Sequence, residues 1–262
     1  MLRILDKICS GNLQVSIAVP TCTNGRLKPF RYSLRVRADL VKNPYFNMTK
    51  KDYLQRMKLY VLISSNIAAR SVNETARLVI DGGADAIQLR EKTISDDEFI
   101  SLASEIRDIT TKRGTLLIIN DRVRVAREVN ADGVHLGQHD MSIIEAREII
   151  GNEKIIGVST HNIIQARQAQ EDGADYIAIG PVYPTTTKDY EPSIGLEVIQ
   201  EISREINIPF LAIGAITLEN LDKVLKAGAS RVAVCSAIIG SDDIALTTRQ
   251  FKETLDKTKC LK

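Results

Sequence analysis

The sequence predicts an α/β chain built as a (β/α)8 barrel, the TIM-barrel architecture, with an N-terminal extension outside the repeat. Three observations predict it. Short, mostly apolar runs recur between residues 59 and 234. Stretches with helical spacing of apolar residues separate them. Gly-Ala-Asp-like turns lead into the runs at 83–85, 130–132, 173–175 and 228–230. Strands that are apolar throughout mark a parallel sheet covered by helices on its outer face. Eight such units close into a barrel. A doubly wound open sheet is the runner-up, but no Gly-x-Gly-x-x-Gly follows the first strand.

Residues 1–47 show no sustained period and contain Pro20, Pro29 and Pro44. They are expected to be a disordered, targeting or extraneous extension. Met48 is an available start, and residues 48–262 are expected to form the barrel. A polar, helix-compatible stretch leads to the first strand at 59–63. Further strands are expected at 86–89, 116–119, 133–136, 155–158, 176–179, 209–213 and 231–234. Helical patterns lie between them at 98–110, 143–150, 164–171, 196–206 and 218–225. Glycine in the Gly-Ala-Asp turns ends a helix in the left-handed conformation, and small neighbours pack where the strand begins.

The 262 residues suit one barrel domain. Net charge is +2 overall, yet residues 1–47 hold eight Lys/Arg against two acids, so residues 48–262 are net −4. A mildly acidic body argues against a broad nucleic-acid surface. No apolar run approaches the roughly 18–20 residues of a membrane span. Cys9, Cys22, Cys235 and Cys260 form no zinc spacing. With no secretory pattern, the simplest expectation is a reduced, cytoplasmic compartment. A homo-oligomer is compatible with the composition.

Polar clusters stand where the apolar runs end, and in a parallel barrel all strand C-termini open onto one face. Gln88-Leu89-Arg90-Glu91-Lys92 follows the second run. Alternation sends Gln88 and Arg90 to one face and Leu89 to the other. A guanidinium there can grip two phosphate oxygens, and Lys92 adds a point charge. Asn120-Asp121 and, after Gly137-Gln138, Asp140 end the next two runs. Two carboxylates from adjacent strand ends suit Mg2+, which takes oxygen ligands and bridges to phosphates. The rival reading of each aspartate is a helix N-cap. His135 and His139 are four apart but straddle a strand end, so zinc is disfavoured. The loop at 180–188 carries Thr185, Thr186, Thr187 and Lys188, which could converge on one anionic group. Gly214-Ala215 and Cys235-Ser236 end the last two strands, where barrels often receive phosphate on backbone N–H groups. Cys235 has no evident base and is not expected to be a nucleophile.

These residues resemble the thiamine-phosphate synthase (thiamin-phosphate pyrophosphorylase) family over about residues 58–258. The likeness rests on Gln-x-Arg-Glu-Lys at 88–92, Asn-Asp at 120–121, His-Leu-Gly-Gln-x-Asp at 135–140, Gly-Val-Ser-Thr-His at 157–161, and Gly-Pro-Val-Tyr-Pro-Thr-x-Thr-Lys at 180–188. It implies a transferase joining hydroxymethylpyrimidine diphosphate to a (carboxy)thiazole phosphate, with thiamine phosphate and pyrophosphate as products. By that likeness Gln88, Leu89, Arg90, Glu91, Lys92, Asn120, Ser159 and Lys188 contact the pyrimidine diphosphate. Asp121 and Asp140 hold Mg2+. Thr185, Thr186, Thr187, Gly214, Ala215, Cys235 and Ser236 receive the thiazole phosphate. Arg90, Lys92, Ser159 and Lys188 are the expected catalytic set. The family's usual Gly-Gly-Ile is here Gly214-Ala215-Ile216, so a positive φ at Ala215 would cost about 1 kcal/mol or more. The rivals are a thiazole tautomerase-like barrel, another phosphate-sugar isomerase, and a non-catalytic phosphate-ligand sensor.

Overall fold

The computed structural model describes residues 14–23, 26–35, 49–185 and 192–257. The chain divides into two units, Met1–Thr49 and Lys50–Lys262. In the first, β1 (Gln14–Thr23) and β2 (Arg26–Arg35) pair antiparallel, with Gln14 opposite Arg35 and Thr23 opposite Arg26. The sequence reading expects no regular structure in residues 1–47, so these strands are a difference. The overlooked signal is Asn24-Gly25 between two stretches rich in β-branched and aromatic residues, a strong two-residue hairpin pattern.

The second unit begins with α1 (Lys50–Arg56) and then alternates strands and helices. The strands are β3 (Leu59–Ile63), β4 (Ala86–Leu89), β5 (Leu116–Asn120), β6 (Gly133–Leu136), β7 (Ile155–Thr160), β8 (Tyr176–Ile179), β9 (Phe210–Ile213) and β10 (Val232–Val234). The helices are α2 (Val72–Asp81), α3 (Asp96–Arg113), α4 (Val123–Glu128), α5 (Ile143–Ile150), α6 (Ile163–Glu171), α7 (Gly195–Glu205), α8 (Leu218–Lys226), α9 (Ser236–Ile239) and α10 (Ile244–Lys257). Strands β3 to β10 run parallel in sequence order, and β10 pairs with β3 to close the barrel. The expected (β/α)8 barrel is therefore present, with strands where the apolar runs stand.

Alternation along each strand divides the core in two. Leu59, Val61 and Ile63 of β3 face the helices, while Tyr60 and Leu62 face the barrel interior. The interior is plugged from below by Leu54 and Met57, which are buried in one cluster with the inward residues of the strands, Leu116 and Ile155 among them. The Gly-Ala-Asp turns do more than end helices. Asp85 Oδ2 accepts from the backbone N–H of Lys58 and Leu59, at 2.9 Å each. Asp132 Oδ2 accepts from Leu117 N and Asp175 Oδ2 from Ile156 N, both at 2.8 Å. Each aspartate thus ties the start of the preceding strand to its own, and each is paired with a helix cation: Lys252, Arg107 and Arg147 respectively. These ties fix the stagger at the bottom of the barrel, and so the level at which the strand ends open at the top.

Candidate active site

The strand C-termini surround an open cleft of about 830 Å3, the solvent at its mouth included, whose exposed wall is largely apolar. A deeper recess of about 330 Å3, counted the same way, continues below it. Leu62, Arg90, Ser159, Ala178, Ile213 and Ala233 border both, so the two form one continuous site with an outer and an inner compartment.

Gln88, Arg90, Asn120 and Ser159 line the inner compartment, as alternation along β4, β5 and β7 requires. Gln88 Nε2 donates to Tyr60 Oη at 2.8 Å. Arg90 sits where the compartments meet, and its guanidinium has no hydrogen-bond or ion-pair partner among the described residues. An unsatisfied guanidinium at such a position is available to an anion.

Two residues of the same cluster separate from this set. The Leu89 side chain is wholly buried between the barrel and the helices, so only its main chain can face a ligand. Glu91 is also buried, and its carboxylate accepts from Ser65 N and Ser65 Oγ at 2.6 Å each. It braces the β3–α2 loop, whose Ser64 lines the outer compartment. Its side chain is thus engaged in supporting a loop. The sequence could not show this, because Ser65 lies 26 residues away.

The aspartates keep their free reading. Asp121 is not an N-cap: the cap position of α4 is Arg122, and no side chain bonds there. It takes φ 53°, a left-handed conformation that Asp tolerates better than most residues. Lys92 pairs with its Oδ2. Asp140 is not a cap either, since Ser142 and Glu145 form a capping box for α5. Asp140 Oδ2 accepts from Gly137 N at 2.6 Å. The Oδ1 of both aspartates accepts nothing among the described residues. No three His, Cys, Asp or Glu gather into a closed metal site among those residues. Two carboxylate oxygens with open positions suit a hard cation that keeps water and takes the rest of its shell from phosphate.

Thr185, Gly214, Ala215, Cys235 and Ser236 line the outer compartment. Thr186, Thr187 and Lys188 lie outside the described residues. Ala215 has φ 45°, the left-handed strain expected of alanine at this turn, while Gly214 at φ 111° lies against Pro181. The Ala215 carbonyl accepts from Asn220 Nδ2 at 2.9 Å. The amides of Gly214 and Ala215 have no acceptor among the described residues. Burial pushes the Cys235 thiol up to about 11, although nearby Arg90 opposes the shift. It stays protonated near neutrality, and a thiol in that form is a poor nucleophile.

Sequence reasoning passed over three other groups. His135, weighed only as a zinc ligand, is buried and hydrogen-bonded to Tyr176 and Ser159. His161 lines the outer compartment with Nδ1 2.6 Å from the Gly180 carbonyl. Tyr60 and Tyr176 lie wholly inside the barrel. Polar residues at inward positions of apolar strands were the available signal.

A closed parallel barrel whose strand ends carry an open guanidinium, two acids and a turn of free amides is a (β/α)8 barrel with groups suited to an anionic ligand at its C-terminal face. The thiamine monophosphate synthase family model matches residues 59–238. A thiamine-phosphate synthase of Chloroflexus aurantiacus is 44% identical over 204 residues, 77% of this chain and 94% of that protein. One from Clostridium novyi is 46% identical over 189 residues, 71% and 93% of the two chains. The solved thiamine phosphate pyrophosphorylase of Pyrococcus furiosus superposes with TM-score 0.72 at 36% identity, covering 78% of this chain and 98% of that one. The chain belongs to the thiamine monophosphate synthase family, a family of transferases.

Proposed function

We propose that this chain condenses hydroxymethylpyrimidine diphosphate with a (carboxy)thiazole phosphate, releasing pyrophosphate and forming thiamine phosphate. The observation that carries the reading is the two-compartment site with Arg90 at its junction. The inner compartment, with Gln88, Asn120 and Ser159, suits a polar aromatic ring. The outer one suits a thiazole, its phosphate received by the Gly214–Ala215 turn, Cys235-Ser236 and Thr185 to Thr187.

The reaction breaks a bond between diphosphate and a benzylic-type carbon on an electron-rich aminopyrimidine. That ring can share positive charge, so departure precedes attack by the thiazole nitrogen. Arg90, Lys92 and Lys188 neutralise the leaving group as its charge develops. Mg2+ held by Asp121 and Asp140 would supply Lewis-acid neutralisation of the diphosphate. Lys92, already paired with Asp121, holds that carboxylate at the end of β5. The aliphatic wall excludes water, which would otherwise trap the cation. Holding both substrates in one cavity supplies proximity. No protein nucleophile is needed. A cytoplasmic location is the proposed setting, and a homo-oligomer is compatible with this reading. Among the described residues no helix is long and apolar enough to cross a membrane.

The test is formation of thiamine phosphate from both substrates with Mg2+. Asp121→Asn and Asp140→Asn should each lower turnover at least about tenfold and raise the Mg2+ concentration for half activation. Unchanged Mg2+ dependence in both variants would remove the metal assignment. Absence of product from the wild-type protein would remove the synthase reading.

A further inference from the structure

Below the cavity a line of polar atoms crosses a barrel interior otherwise filled mainly by aliphatic side chains. Gln88 Nε2 donates to Tyr60 Oη at 2.8 Å, and Tyr60 Oη lies 3.0 Å from Tyr176 Oη. Tyr176 Oη lies 2.9 Å from His135 Nδ1, and His135 Nε2 lies 2.9 Å from Ser159 Oγ. Both tyrosines are fully buried, at 1% and 0% exposure.

The direction of each bond follows from counting protons. The Gln88 amide nitrogen can only donate. Tyr60 accepts from it, so its single proton has one buried acceptor left, the Tyr176 oxygen. Tyr176 then has its own proton to give, and His135 Nδ1 is the neighbour that can take it. A ring nitrogen that accepts carries no proton, so the neutral imidazole holds its proton on Nε2. That N–H donates to Ser159 Oγ. Ser159, having accepted from below, turns its own proton toward the cavity it lines.

Packing does not demand this arrangement. A phenylalanine would fill either tyrosine's space, and buried hydroxyls cost stability unless paired. The sequence also makes room for the line. A Cβ at Gly157 would stand 2.0 Å from Tyr176 Cζ, so glycine leaves the space the ring occupies.

We propose that Tyr60 and Tyr176 are positioning residues that fix His135 as its Nε2–H tautomer and so make the Ser159 hydroxyl a donor into the cavity. The tautomer stands on the hydrogen-bond geometry alone. The consequence for turnover rests on the synthase reading and adds one contact to it: Ser159, which borders both compartments, donates to an oxygen of the diphosphate as it departs.

The experiment combines nitrogen-15 imidazole spectra of the full chain at pH 8 with single-turnover kinetics of Tyr176→Phe, Tyr60→Phe, Ser159→Ala and the Tyr176→Phe/Ser159→Ala double variant. In wild type, His135 should show a protonated Nε2 and a bare Nδ1. Tyr176→Phe should give a mixture of tautomers. It should slow single turnover about tenfold, with KM for the pyrimidine diphosphate within about twofold. Tyr60→Phe, one link further away, should act in the same direction and less. In the Ser159→Ala background Tyr176→Phe should have almost no further effect, because the tyrosine acts through the serine. A protonated Nδ1 in wild type overturns the proposal, and so does a full effect of Tyr176→Phe in the Ser159→Ala background. If the wild-type protein forms no thiamine phosphate, the synthase reading fails while the spectra still decide the tautomer.

Discussion

Arg90 leaves β4 on the face shared with Gln88 and stands between the two compartments without a partner among the described residues. That placement was legible, because period-two alternation alone puts residues 88 and 90 together. The different fates of Leu89 and Glu91 show where local reading stops. Alternation foretold the Leu89 side chain, but the Ser65 bonds that hold Glu91 come from another loop. The aspartates illustrate the converse. Asp140 stands three residues before a helix, which suggested a cap, yet the capping box that begins two residues on removes that explanation. If Arg90 neutralises a leaving diphosphate, the gain must grow as charge develops. Arg90→Ala should therefore lower the single-turnover rate at saturating substrates, by roughly 10- to 100-fold for one charge-assisted contact. Arg90→Lys should recover only part, since a point charge cannot reproduce a two-pronged grip. A defect confined to KM would count against the assignment.

At the scale of elements, strand positions were legible because each strand is a short apolar run. What the pattern hid is how their starts are held. Asp85, Asp132 and Asp175 look like turn residues, and each is also an acceptor for the neighbouring strand and the partner of a helix cation. Asp175 is the one of the three that pairs with two cations, Arg147 and Lys50, besides receiving Ile156 N. Its removal leaves a backbone donor without its acceptor and two cations without their carboxylate at a half-buried site, although both cations keep backbone acceptors. Asp175→Ala should cost about 3 kcal/mol, lowering the thermal midpoint by roughly 6–12 °C. Turnover of the folded variant at 25 °C should change little, since the tie lies at the end of the barrel opposite the cavity. A midpoint within about 2 °C of wild type would show the tie to be dispensable.

At the scale of the whole molecule, the barrel closes entirely within Lys50–Lys262, and the family model begins at residue 59. Those two boundaries differ by α1, and the difference is physical. Leu54 and Met57 sit at 5% and 2% exposure among the interior residues, and Lys50 pairs with Asp175. A chain beginning at Met48 keeps every one of these contacts and should fold and retain synthase activity. A chain beginning at Leu59 loses the plug. Uncovering two such side chains costs about 3–6 kcal/mol, so its midpoint should fall by roughly 6 °C or more. The net +6 segment before Met48 carries no residue of the proposed site. Thermal unfolding of the full chain and both shortened chains separates the contributions. A fall of about 5 °C or more on removing residues 1–47 alone would mean that the segment supports the barrel, against the expectation that residues 48–262 suffice.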